Sequence, residues 1–217
     1  MCTRFYIEPE SVDLSELMEM ARRTKLAEKF IWSGNKLLTS GEIRPTNVVP
    51  VIAFGKEGKG KVFPMKWGFT IQRGTSFAPA SSLIVNARSE TAAEKPTFKE
   101  AWKEHRCIVP ASWYYEWQHF TSAEGKVKTG DKFAIQPAGE SAAWLCGLYR
   151  MEEGFPVFAI LTREPGRGVR EIHDRMPLML PKERIREWIN PKSDPNELLA
   201  YALTETVMEK VEAGGAR

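Results

Sequence analysis

Residues 106–118 have the sequence Arg106-Cys-Ile-Val-Pro-Ala-Ser-Trp-Tyr-Tyr-Glu-Trp-Gln118. A β-branched apolar segment and an aromatic segment are separated by Pro-Ala-Ser, a combination typical of two consecutive strands. The sequence therefore predicts strands over residues 106–109 and 113–118.

Similar short segments recur on both sides of this stretch. Further strands are predicted at 4–7, 48–54, 61–69, 133–136, 143–149 and 157–162, with a last strand at 206–211. One amphipathic helix is predicted over 13–30, and shorter helices over 97–104, 182–189 and 195–203. Many short strands with few helices between them predict an α+β fold: one domain over 1–217, with a mixed, mostly antiparallel sheet (barrel-like or sandwich) and peripheral helices. The motifs described below span 1–180, and 181–217 is expected to be a C-terminal helical extension ending in that last strand.

Composition excludes several classes of protein. The chain has 217 residues, of which 42% are hydrophobic and 27% charged, so it can build a core without disulfides or metals. No apolar run of about 18 residues occurs, which argues against a transmembrane helix. Its three cysteines and three histidines show neither Cys-x-x-Cys nor His spacing for zinc, so we expect no metal, no cofactor and a reducing, cytoplasmic environment. The net charge of +3 is too mild to indicate nucleic acid by itself.

Residues 55–61, Gly-Lys-Glu-Gly-Lys-Gly-Lys, match the start of a phosphate-binding loop. The next residue is Val62, so the hydroxyl that would hold magnesium is missing, and a predicted strand follows instead of a helix. The segment is therefore interpreted as a hairpin turn.

Cys2 directly follows the initiator methionine. Its small side chain permits removal of Met1, after which an amine and a thiol would sit on adjacent carbons at the N-terminus. Such a pair can form a Schiff base with an aldehyde and close it to a thiazolidine, or it can attack an amide with the amine as base. The alternative is that Cys2 is only a small buried hydrophobic residue.

Three more segments combine polar residues with apolar strands. Asn86 could donate a hydrogen bond to a developing oxyanion or to a sugar hydroxyl, and Arg88 could bind a phosphate. Alternatively, both residues belong to a helix-capping turn. Glu116 shares one face of its strand with Tyr114; burial of that face would raise the carboxyl pKa towards the general acid–base range, whereas the opposite packing would leave Glu116 in water. His173 could move protons at physiological pH, or be a structural histidine in a turn.

Taken in order along the chain, these motifs resemble the SOS-response-associated peptidase (SRAP) family. The resemblance is carried by Met1-Cys2-Thr3-Arg4-Phe5, Thr46-Asn47-Val48-Val49-Pro50, Trp67-Gly68, Asn86-Ala87-Arg88-Ser89-Glu90-Thr91, Tyr115-Glu116-Trp117 and His173-Asp174-Arg175-Met176-Pro177. Thr3 stands where the family usually has glycine, which adds a side chain beside the nucleophile.

The resemblance implies a sensor of abasic sites in single-stranded DNA that acts in the response to DNA damage. Cys2 would be the nucleophile that crosslinks to the opened sugar. Asn86 would orient the sugar, Glu116 would be the acid and base, and His173 would assist proton transfer. The implied DNA-binding residues are Arg4, Asn47, Trp67, Arg88, Trp117 and Arg175, with the arginines on phosphates and the tryptophans as stacking surfaces. The resemblance implies a lyase-like crosslinking enzyme that needs no metal, cofactor or membrane, and we expect a monomer.

Two alternatives stay open at this point. One is a peptidase or amidase in which Cys2 attacks a peptide carbonyl with Asn86 in the oxyanion hole, its minimal form being removal of Met1 by the protein itself. The other is a reader of single-stranded or modified DNA that binds by stacking and phosphate contacts alone, and this reader would be indifferent to Cys2 substitution.

Overall fold

The computed structural model describes residues 2–75, 78–121 and 124–212. The strands within these ranges, numbered along the chain, are β1 Arg4–Ile7, β2 Gly41–Ile43, β3 Val48–Phe54, β4 Gly60–Trp67, β5 Phe69–Thr75, β6 Ala78–Ile84, β7 Asn86–Arg88, β8 Arg106–Ala111, β9 Trp113–Thr121, β10 Val127–Pro137, β11 Ala143–Glu152, β12 Phe155–Arg163, β13 Met176–Pro177 and β14 Thr206–Val211. The helices are α1 Val12–Arg22, α2 Lys25–Trp32, α3 Ser89–Ala92, α4 Lys99–Glu104, α5 Arg167–Arg170, α6 Ile185–Ile189 and α7 Pro195–Leu198, with 3-10 turns at Lys182–Arg184 and Leu199–Tyr201.

The larger sheet closes on itself. Its order is β11-β8-β3-β4-β12, and β11 pairs with β12 as well as with β8, so these five strands form a ring. All pairs in the ring are antiparallel except β4 with β12, and the short strands β7 and β13 add to β12. A second, antiparallel sheet has the order β14-β10-β9-β1-β2, and β5 and β6 form a separate hairpin. The prediction of an α+β fold with a mostly antiparallel, barrel-like sheet is confirmed.

The two faces of β9 pack into different clusters. Tyr114 belongs to the main core, whereas Trp113 and Tyr115 belong to a second cluster with Ala134 and Val211. By strand alternation, the face that carries Tyr114 also carries Glu116. Because that face is the one turned towards the main core, the structure decides the orientation that the sequence left open.

A buried arginine ties the helices to the ring. Arg106, at the start of β8, is 1% exposed. Its guanidinium donates to main-chain carbonyl oxygens near the C-terminal ends of α4 and α6 and in the loop that follows α6. Such saturated hydrogen bonding is what makes a buried charge tolerable.

Two predicted elements are divided in the structure. The helix predicted over 13–30 is split into α1 and α2, because the Thr24 hydroxyl accepts a hydrogen bond from the Ala27 amide and begins a new helix. The strand predicted over 61–69 ends at Trp67, because Gly68 has φ +121°, where a Cβ would lie 2.5 Å from Leu83 Cδ1. The hairpin turn predicted over 55–61 is confirmed: residues 55–59 connect β3 to β4, which already includes Gly60 and Lys61. No helix in the described part of the chain is long and apolar enough to cross a bilayer.

Candidate functional site

Strand pairing brings four sequence-distant residues to one place. Arg4 of β1 pairs with Tyr115 of β9, which sets the start of the chain beside Glu116. The side-chain amide of Asn86, at the start of β7, donates from Nδ2 to the main-chain oxygen of Cys2 at 2.8 Å. His173 follows α5, and its Nε2 lies 3.9 Å from Glu116 Oε1. The four residues predicted to carry the chemistry are therefore neighbours.

Cys2 is fully buried in this chain, which still begins with Met1. Its Sγ donates to the main-chain oxygen of Arg4 at 3.6 Å. Burial, together with the nearby charge of Glu116, raises the pKa of the thiol above its ordinary range. The sulfur is therefore a protonated thiol at neutral pH until a base removes its proton.

Glu116 is a buried carboxyl group, 3% exposed. Burial raises its pKa from 4.5 to about 7. Both protonation states are thus populated at neutral pH, which suits a group that must give a proton in one step and take one in another.

His173 is neutral at physiological pH, because burial lowers its pKa to about 4. Its Nδ1 lies 3.0 Å from the main-chain nitrogen of Arg175 and 2.7 Å from Asp174 Oδ1. The Arg175 amide can only donate and favours Nδ1 as an acceptor, whereas the Asp174 carboxylate can only accept and favours a proton on Nδ1, so the two contacts favour opposite tautomers. The other ring nitrogen, Nε2, is the one that faces Glu116.

One neighbour of the site was not predicted. The ring of His119 packs on the ring of His173 with centroids 4.8 Å apart. The contact is fixed by the His119 amide, which donates to the Ile172 carbonyl oxygen at 3.0 Å. No sequence motif signals this contact, because it depends on a loop more than 50 residues away along the chain.

Four of the predicted DNA-binding residues lie at or near the protein surface. Arg88 is exposed and Trp117 is half-buried. Arg4 is partly exposed, with Nε 3.3 Å from Glu42 Oε1. Asn47 uses Oδ1 to accept from the Arg44 amide at 2.8 Å, which fixes the turn before β3.

The other two do not fit the predicted roles. Trp67 is fully buried, and its Nε1 donates to the Val85 carbonyl oxygen, so it offers no face to a nucleobase. Arg175 is 8% exposed, and its guanidinium donates to both carboxylate oxygens of Glu90 and to the Thr162 carbonyl oxygen. These contacts make Arg175 a structural tie beside His173 instead of a phosphate ligand.

Within the described ranges, no group of three His, Cys, Asp or Glu side chains is arranged to hold a metal ion. The site is instead an amide, a carboxyl group, a neutral imidazole and a thiol around the start of the chain. Such a set can move protons and form covalent bonds to carbon.

Comparison with known proteins places the chain in a family. The family model described as SOS response associated peptidase (SRAP) matches residues 1–214. The chain is similar to the abasic site processing protein YoqW of Bacillus subtilis (strain 168), at 30% identity over 223 residues, covering 98% of this chain and 91% of that protein. It is also similar to the abasic site processing protein YoaM of the same organism, at 30% identity over 189 residues, covering 82% and 81%.

A crystal structure of a protein from Bacteroides thetaiotaomicron shares the fold, with a TM-score of 0.70 at 19% identity, covering 97% of this chain and 92% of that one. The matched family model spans nearly the whole sequence, including all six motifs. The chain is therefore a member of the SOS response associated peptidase (SRAP) family.

Proposed function

We propose that this protein processes abasic sites in single-stranded DNA by forming a covalent bond between its mature N-terminal Cys2 and the aldehyde of the opened sugar. The observation that carries the proposal is the juxtaposition of Cys2 with Asn86 and with a carboxyl group, Glu116, whose pKa is about 7. The similar Bacillus proteins are named for the processing of abasic sites, which supports the proposal.

The first proposed step forms a Schiff base. After loss of Met1, the neutral amine of Cys2 attacks the aldehyde carbon, and the nitrogen loses a proton as the oxygen gains one. Protonated Glu116 then gives its proton to the new hydroxyl group, water leaves, and the nitrogen lone pair forms a protonated C=N bond. Asn86 would orient the amine, because its Nδ2 already holds the Cys2 carbonyl oxygen and its buried Oδ1 has no partner among the described residues.

The second proposed step closes the ring. The Glu116 carboxylate takes the thiol proton of Cys2, the sulfur bonds to the imine carbon, and the π electrons return to nitrogen. The product is a neutral thiazolidine, and Glu116 is protonated again. His173 Nε2–H would donate a hydrogen bond to the sugar oxygen, since an atom near both Nε2 and Glu116 Oε1 can contact each of them.

Two features of the site, one hydrogen bond and the burial of the thiol, favour aldehyde chemistry over a peptidase. One of the two Nδ2 hydrogens of Asn86, the donor that an oxyanion hole would use, is held by the carbonyl oxygen of Cys2 itself. Burial also raises the thiol pKa, so a resting thiolate that could attack an unactivated amide is disfavoured. A protonated imine is a much better electrophile, and the same imine could undergo β-elimination, which would give lyase activity as a side reaction.

The test is a denaturing gel of purified protein and single-stranded DNA with one abasic site. We expect a stable shifted band with wild type and none with Cys2→Ala. Borohydride should restore a band for Cys2→Ala, because the alanine amine still forms a Schiff base that reduction traps. DNA carrying a tetrahydrofuran analogue, which has no aldehyde, is the matched substrate control.

The outcomes separate the candidate functions. An equal band for Cys2→Ala without borohydride, or a band with the tetrahydrofuran DNA, would refute the crosslink. Intact mass adds a second check: the active protein should begin at Cys2. If loss of Met1 required Glu116 and His173 in a host with blocked methionine aminopeptidase, the peptidase would gain support. Reversible, salt-sensitive binding that ignores Cys2 would instead indicate a DNA reader.

A further inference from the structure

Tyr114 carries a polar atom in the main core that the chemistry above does not use. The residue is fully buried, and its hydroxyl has no hydrogen-bond partner among the described residues. A buried hydroxyl without a partner is a cost to folding. A phenylalanine ring would fill the same space, so packing alone does not explain why this position carries a hydroxyl group.

Strand pairing places this side chain at the reaction site. Tyr114 lies two residues before Glu116 on the same face of β9, and it pairs across the sheet with Phe5 of β1, three residues after Cys2. Cys2 and Tyr114 belong to the same core cluster. The tyrosine side chain therefore lies on the same strand face as Glu116 and in the same core cluster as Cys2.

The surroundings keep the phenol protonated. Burial, with the charges of Cys2 and Glu116 adding to it, raises the pKa of Tyr114 well above its ordinary value. The group is thus a neutral O–H donor at all pH values at which the reaction would run. A neutral donor is the kind of group that lowers the cost of an anion forming in a buried site.

We propose that the Tyr114 hydroxyl donates a hydrogen bond to the Cys2 sulfur as the thiolate forms and attacks the imine carbon. This inference rests on the proposed function. No proton leaves the phenol: the thiol proton goes to Glu116, and the hydrogen bond stabilises the charge on sulfur until the C–S bond has formed. Tyr114 is then a catalytic residue for ring closure and plays no part in Schiff base formation.

The test compares Tyr114→Phe with Tyr115→Phe. Both variants remove one hydroxyl from a buried side chain, but Tyr115 lies on the opposite face of β9, in the second cluster. Reactions with abasic single-stranded DNA are stopped at intervals with or without borohydride. We expect Tyr114→Phe to close the ring about 10- to 100-fold more slowly, to accumulate borohydride-trapped Schiff base, and to cleave more DNA by β-elimination. Tyr115→Phe should match wild type.

A second readout does not involve DNA. The rate at which iodoacetamide alkylates Cys2 at one fixed alkaline pH, followed by peptide mass spectrometry, should be lower in Tyr114→Phe only, because the thiolate forms less readily without the hydrogen bond. If Tyr114→Phe closes the ring at the wild-type rate and its Cys2 is alkylated as in the wild type, the inference is overturned and the proposed crosslink is unaffected. Failure of wild type itself to crosslink would overturn the proposed function, and with it this role.

Discussion

Glu116→Gln should make the fold more stable at alkaline pH while it removes the proposed chemistry. Glutamine resembles the protonated carboxyl group in shape and cannot ionise. In the wild type, the folded pKa of about 7 lies above the ordinary 4.5, so the folded protein binds this proton more tightly than the unfolded chain does. The stability that the proton provides is complete below pH 4.5 and is lost as pH rises through 7.

The size of the effect follows from those two pKa values. Their difference corresponds to about 3 kcal/mol. The variant should therefore exceed wild type by about 3 kcal/mol at pH 8.5 and by less than about 0.5 kcal/mol near pH 4.5. For a chain of this length, the alkaline difference is a rise in melting temperature of about 6–12 °C.

Urea unfolding of both proteins at pH 4.5 and 8.5 measures this difference. The exposed residue Glu94 provides the control variant Glu94→Gln, which should show no comparable pH-dependent gain. The crosslinking rate of Glu116→Gln should fall by about 10²- to 10⁴-fold, the usual contribution of a general acid–base group. A variant that is less stable than wild type at both pH values would refute the assignment of a desolvated, proton-binding carboxyl group.

Three further variants test other features. Arg106→Met should lower the free energy of unfolding by about 3 kcal/mol or more, measured in urea, because several buried carbonyl oxygens lose their donor; an unchanged value would show that these hydrogen bonds do not stabilise the fold. Arg88→Ala should reduce the salt dependence of single-stranded DNA affinity by about 0.7 in log–log slope, as expected for one lost phosphate contact, measured by fluorescence anisotropy; an unchanged slope would exclude Arg88 from the interface. Trp67→Phe should leave that affinity unchanged but cost about 1 kcal/mol of stability through its lost bond to Val85; weaker DNA binding at unchanged stability would argue for a stacking role.

The strands were predictable where a short apolar run is followed by turn residues. The segment 48–54 was predicted as a strand and is β3, and the glycines at 55–60 marked the turn that follows it. The division at Thr24 was not predicted, because the apolar stripe continues past this residue and suggested one long helix. The β5–β6 hairpin was missed because the alternation of Phe69-Thr70-Ile71-Gln72 is short and most of β6, Ala78–Ile84, consists of small or polar residues.

The features of the site that could not be predicted from the sequence have a different cause. Motif order marked Cys2 and Glu116, but the burial of Glu116 depends on which face of β9 meets the core, and alternation alone is symmetric in that respect. The partner of Arg175 is Glu90, 85 residues earlier in the chain, so spacing could not show that its guanidinium is occupied. The burial of Trp67 could not be predicted for a similar reason. The motif marks the residue, but the side that its indole ring faces depends on how the five strands close into a ring.

The enclosure of Cys2 has a practical consequence for anyone who produces this protein. An affinity tag fused ahead of residue 2 would turn the amine that the proposed chemistry uses into an amide, and the tag would have to pass a site where Cys2 has no exposed surface. Under the proposed function, such a preparation would fold but would not form the crosslink. A purification handle should therefore avoid the front of the chain, or be cut off so that cysteine becomes the first residue.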